Sequence, residues 1–135
     1  MGGTSMSVSV VTPADPELSA DPLALLADAD QLFPDFPIAA GMMARASLEA
    51  CLRQLCEEHD CEPTFKELRF SAREGYLKRL KKAGAIDKAT EREAARLFLL
   101  GSRIIHCEVL DSASIDTLLQ GVRRFVETVG EGGAP

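Results

Sequence analysis

The chain has two histidines, and one of them stands in the segment GSRIIHCE (101–108) among a serine, an arginine and a cysteine. Histidine titrates near neutral pH, so His106 is either a core residue with its hydrogen bonds satisfied or a member of a polar site. On a helix, Ser102 and Arg103 precede His106 by four and three residues, and all three share one face. His106, Arg103 and Ser102 are therefore the candidate catalytic residues. Cys107 adds little to them. As helical neighbours, His106 and Cys107 point about 100° apart and form no nucleophile–base pair by themselves.

Three further groups carry chemistry. Cys51, Cys56 and Cys61 recur every five residues, and CEEHDC sets His59 between the last two. Zinc sites favour paired Cys-x-x-Cys spacing at turns, whereas helical residues five apart sit about 140° round the axis and converge poorly. Reduced thiols are expected here, with no metal and no cofactor. Arg45 and Glu49 are the two charges between residues 38 and 52. They stand four apart on the face of Met42, Leu48 and Leu52, and are expected to form a buried polar pair, since a buried charge is costly alone. Between Lys66 and Lys82 the basic residues Lys66, Arg69, Arg73, Lys78, Arg79, Lys81 and Lys82 face two acids, Glu67 and Glu74. Such a run is either a solvated helix face or a set of RNA phosphate contacts; no aromatic stacking set accompanies it.

These residues must be positioned by helices. Ala, Leu, Arg and Glu are plentiful, while β-branched and aromatic runs are few. Asp21 and Pro22 read as the N-cap and first position of a helix that stops before Pro34 and Pro37. The next helix, from about Pro37 to Asp60, lacks a polar face and is expected at the centre of the fold. Capping boxes follow at Thr64–Glu67 and Ser71–Glu74, with Gly84 closing the helix from about Ala72 to Ala83. A long helix over about 88–108 carries GSRIIHCE. Its Gly101 is expected to admit the Arg45 helix. DSAS (111–114) caps a last helix over about Ile115–Val129. The expected fold is an all-α bundle of about five helices forming one domain over 20–130, with disordered segments at 1–19 and 131–135.

At 135 residues one core suffices. The net charge of −6 arises in residues 1–35, which hold six acids and no base, leaving 15 acidic and 15 basic residues beyond them. The low pI therefore does not exclude an anionic partner elsewhere on the surface. No secretory leader, membrane span or lipidation motif is read, and a cytoplasmic location with no membrane contact is expected.

Taken together, FPIAAGMMARASLEACLRQLCEEH, LKRLKKAGAID and GSRIIHCE resemble, in order and spacing, segments of the family called domain of unknown function 4145, a branch of the HEPN superfamily. The resemblance spans about residues 36–129. It implies a HEPN-like helical bundle, often a homodimer, acting as a binding or dimerisation module in bacterial defence or toxin–antitoxin systems, with a protein partner encoded in the same operon. Active HEPN members are similar to metal-independent endoribonucleases, in which an Arg-x4–6-His motif from two protomers meets across the dimer. The histidine handles a proton there, and the arginine steadies the phosphorane charge. In this chain the nearest arginines before His106 are Arg103 and Arg96, three and ten residues upstream, and Ser102 replaces the usual Asn. The resemblance thus implies a catalytically degenerate module, with a ribonuclease using His106 at a dimer cleft as the alternative.

Overall fold

Among residues 21–70, 72–109 and 111–130, which the computed structural model describes, the chain forms six helices and no strand. They are α1 (Pro22–Leu32), α2 (Pro37–Glu58), α3 (Phe65–Phe70), α4 (Ala72–Lys82), α5 (Lys88–Ile105) and α6 (Ser112–Gly130). The fold is all-α, as the helical periodicity implies. The short α3 is the helix beyond the expected five. The segments read as disordered, 1–19 and 131–135, and the Ser71 cap lie outside the described residues.

The caps form where short-range chemistry dictates. The Asp21 carboxylate accepts the Ala24 N–H at 2.9 Å, and Pro22 fills the first helical position. Thr64 and Glu67 close a reciprocal box at the start of α3: Thr64 N–H donates to Glu67 Oε1 at 2.8 Å, and Glu67 N–H to Thr64 Oγ1 at 3.2 Å. Asp87 caps α5 through the Thr90 N–H at 2.7 Å. Asp111 caps α6 through the Ser114 N–H at 2.9 Å, so that helix begins a turn earlier than its apolar pattern.

Helix α2 is central, packing on α1, α4, α5 and α6. Small side chains make that possible: Ala40, Gly41, Ala44 and Ser47 are all buried. The Ser47 hydroxyl, wholly buried, donates to the Pro22 carbonyl at 2.7 Å and ties α2 to the start of α1. Around it Leu26, Leu48, Leu52, Leu97, Leu118 and Val122 are fully removed from solvent, each stabilising the fold by about 1.5–3 kcal/mol.

Helices α2 and α5 run antiparallel, with Gly41 against Ile104 and Gly101 against Arg45. The expected neighbour of Gly101 is thus found, but Gly101 is not the residue that sets the spacing. A Cβ at Gly101 would meet Arg45 Cβ at 3.5 Å, an ordinary contact, whereas one at Gly41 would stand 2.6 Å from Ile104 Cγ2. The apolar side of α6, including Ile115, Leu119, Phe125 and Val129, is buried within the same core. Among the described residues no helix is long and apolar enough to cross a membrane.

Three helices end alike. Asp60 after α2 (φ 54°), Gly84 after α4 (φ 74°) and Cys107 after α5 (φ 63°) are left-handed. The next residue then donates back into the last turn: Cys61 N–H to the Cys56 carbonyl at 2.9 Å, Ala85 to Leu80 at 2.9 Å, Glu108 to Arg103 at 2.8 Å. Each is a Schellman ending. Helix α5 therefore stops at Ile105 instead of reaching Glu108.

Candidate functional site

Amphipathic α4 turns Tyr76, Leu77 and Leu80 inward and leaves Lys78, Lys81 and Lys82 outside. The Gly84 turn and the Asp87 cap bring the first half of α5 back alongside it. Between the two helices lies an open cleft of about 650 Å³. Leu77 and Ala95 give it an apolar floor, Lys78, Lys81, Lys82 and Arg92 surround them, and Glu74 and Glu91 are the acids present. Lys81 Nζ reaches Glu91 Oε1 at 3.2 Å and links the two walls. Four cations against two carboxylates leave the lining positive.

This geometry divides the basic run read as either a solvated helix face or a set of RNA phosphate contacts. Lys78, Lys81 and Lys82 line the cleft, and Lys66 is exposed on α3. The side chains of Arg69 and Arg73 lie outside the described residues. Arg79 points elsewhere: its Nε donates to both Glu67 oxygens at 3.1 Å and its Nη2 to Oε1 at 2.8 Å. That fork, with the Thr64 bond added, holds the Glu67 carboxyl down at about 2. Arg79 is thus a tie between α3 and α4, its guanidinium engaged by Glu67. Arg92 joins the lysines in the cleft lining, with Glu91 paired to Lys81. Their signal was available in the helical period of α5, which sets 91, 92 and 95 on the side away from Leu97 and Ile104.

The His106 group sits at the other end of α5, roughly 16 Å along the axis from Ala95 at a rise of 1.5 Å per residue. His106 is exposed, so it is not a core histidine. Its N–H bonds to the Ser102 carbonyl at 3.0 Å as the helix closes, and its imidazole has no hydrogen-bonded partner among the described residues. Arg103 Nε lies 3.6 Å from Glu108 Oε1, bridging the two residues that the Schellman ending joins. Ser102 is half-buried. His106, Arg103 and Ser102 line neither this cleft nor a second one of about 340 Å³ between α5 and α6.

Arg45 and Glu49 do not form the expected buried pair. Both are half-buried, and no ion pair or hydrogen bond joins them among the described residues. The Arg45 stem instead crosses Gly101, its guanidinium lies 5.9 Å from the Phe98 ring centre, and its Nε is buried without an acceptor. A cation over an aromatic face recovers part of the lost hydration. The shared face of Met42, Leu48 and Leu52 also splits, since Leu48 and Leu52 are wholly buried while Met42 is 53% exposed.

Of the cysteines, Cys51 and Cys56 are buried, Cys61 is partly exposed and Cys107 is exposed. Among the described residues no cluster of three or more His, Cys, Asp or Glu is placed to hold a metal ion. Comparison of the chain with protein-family models, with curated proteins and with solved structures gave no match.

Proposed function

We propose that this chain acts by binding: a HEPN-like helical module whose α4–α5 cleft takes an acidic, amphipathic helical segment of a protein partner. The observation that carries the reading is the cleft itself, an apolar floor of Leu77 and Ala95 between Lys78, Lys81, Lys82 and Arg92. A helix with leucines on one face and glutamates beside them would bury the first and pair the second. RNA is the less favoured occupant because no aromatic side chain lines the cleft to stack a base. The resemblance of residues 36–129 to the HEPN superfamily supports placing the module in a bacterial defence or toxin–antitoxin system. His106 stands apart from the cleft, and Arg103 is engaged by Glu108; both features favour a degenerate catalytic motif.

The test is a titration of labelled full-length chain, followed by amide chemical shifts, with a designed Leu/Glu amphipathic helix and separately with single-stranded RNA. The peptide is expected to move Leu77, Lys78, Lys81, Arg92 and Ala95. The double variant Lys78→Glu, Arg92→Glu should weaken binding by about 10-fold, with the effect shrinking at high salt. Shifts at the cleft with RNA but none with peptide would overturn the choice of partner, and no shift there with either would overturn the site.

A further inference from the structure

Cys56 and Cys61 meet in a way their spacing conceals. Cys56 lies in the last turn of α2 and is wholly buried; Cys61 comes after the helix and is partly exposed. Left-handed Asp60 (φ 54°) folds the chain back, so that the Cys61 N–H reaches the Cys56 carbonyl at 2.9 Å. Standard bond lengths turn this contact into a limit on the cysteines themselves. An α-carbon stands about 2.4 Å from its carbonyl oxygen and about 1.46 Å from its amide nitrogen. With 2.9 Å between oxygen and nitrogen, the two α-carbons are no more than about 6.8 Å apart. Disulfides span α-carbons about 4.4–6.8 Å apart.

In a Schellman ending the two residues so joined commonly bring their side chains together. Burial, and after it the adjacent Cys61 thiol, push the Cys56 thiol up to about 12. The Arg79 guanidinium is within electrostatic reach of both sulfurs, while Glu57 and Glu62 act on Cys56 from the acidic side. The Cys56 thiol donates to the Tyr76 carbonyl of α4 at 3.8 Å. The remaining cysteines are not so placed: Cys51 lies five residues earlier on the same helix, and Cys107 follows the end of α5.

We propose that Cys56 and Cys61 are a redox-active dithiol, closed to an intrachain disulfide by a low-molecular-weight disulfide and reopened by thiols. Cys61, the accessible member, attacks one sulfur of the small disulfide as its thiolate. The sulfur–sulfur bond breaks, one small thiol leaves with the proton that Cys61 gave up, and a mixed disulfide remains. Cys56 then loses its proton and attacks the Cys61 sulfur, expelling the second small thiol, which takes that proton. Two protein thiols are oxidised and one disulfide is reduced to two thiols. The bond closes at the corner where the chain leaves α2 for α3 and α4.

Trypsin makes the test direct. It cuts after Arg53 and Lys66, so peptide 54–66 holds Cys56 and Cys61, with Cys51 and Cys107 on other peptides. The full-length reduced chain is incubated with glutathione disulfide, denatured, alkylated and digested. Peptide 54–66 is expected two hydrogens lighter and unalkylated, and Cys56→Ser should trap glutathione on Cys61. At equilibrium with glutathione, closure should be favoured about 10-fold more in the folded chain than in the synthetic peptide, because the turn holds the two cysteines together. Asp60→Val, which disfavours the left-handed turn, should remove most of that advantage. Glutathione adducts on 54–66 without loss of two hydrogens would overturn the proposal, as would equal extents of closure in chain and peptide.

Discussion

Replacing Gly41 and Gly101 by alanine, one at a time, should move stability in opposite directions although both glycines sit where α2 crosses α5. Each substitution removes the cost of glycine inside a helix, about 1 kcal/mol. At Gly101 the new methyl would lie 3.5 Å from Arg45 Cβ and 3.7 Å from its Cγ and Cδ, in contact with a flexible stem. Nothing has to move, and Gly101→Ala is expected to stabilise the fold by about 1 kcal/mol. At Gly41 the methyl would stand 2.6 Å from Ile104 Cγ2, roughly 1 Å inside normal carbon contact. Ile104 is wholly buried and β-branched on a helix, so its side chain has one favoured rotamer and no room to turn. The helices must part instead, at about 1–3 kcal/mol for an overpacked core. Gly41→Ala should therefore destabilise by about 1 kcal/mol net once its helix gain is subtracted. Urea unfolding of both variants beside the parent measures this, and the slope should stay unchanged while the midpoints diverge. Shifts of the same sign would refute the claim that Gly41, and not Gly101, sets the spacing of α2 and α5.

Two other perturbations test local claims. Cys107→Gly should stabilise by about 0.5–1 kcal/mol, because a left-handed non-glycine residue costs about 1–2 kcal/mol and glycine's extra freedom when unfolded returns part of it; thermal unfolding reads the sign. Glu67 has its carboxyl lowered from 4.5 to about 2 by Arg79 and Thr64. Because the folded value lies below the unfolded one, the stabilisation is full above pH 4.5 and is lost as pH falls through about 2. The advantage of the parent over Glu67→Gln should narrow across that window in a series of melting curves, and an advantage constant with pH would remove the ion pair as its cause.

What could be read from the residues was whatever is decided within a few positions. The Asp21 cap, the Thr64–Glu67 box and the Gly84 ending needed only neighbours in sequence, and the absence of a polar face on α2 was enough to place it centrally. Tertiary choices were not legible in that way. Arg45 and Glu49 share a helix face, yet which group the guanidinium meets depends on α5, where Phe98 and Gly101 wait. Arg79 looked like a free cation until Glu67, twelve residues away, claimed it. The end of α5 was misplaced because its left-handed stop is Cys107, where Gly or Asn is the usual signal. For the same reason the meeting of Cys56 and Cys61 went unseen: Asp60 hides the reversal that glycine would have announced. The cleft draws its walls from two helices, and only their pairing brings Lys78, Lys81 and Lys82 opposite Arg92.

The most direct test of the account is incubation of a mixed RNA pool, without metal, with the parent chain and with His106→Ala. A binding module with a degenerate motif leaves the RNA intact in both cases, and His106→Ala, changing an exposed side chain, unfolds at the parent's midpoint. Cleavage by the parent that disappears in His106→Ala and leaves 2′,3′-cyclic phosphate ends would contradict the account and make His106 a catalytic residue.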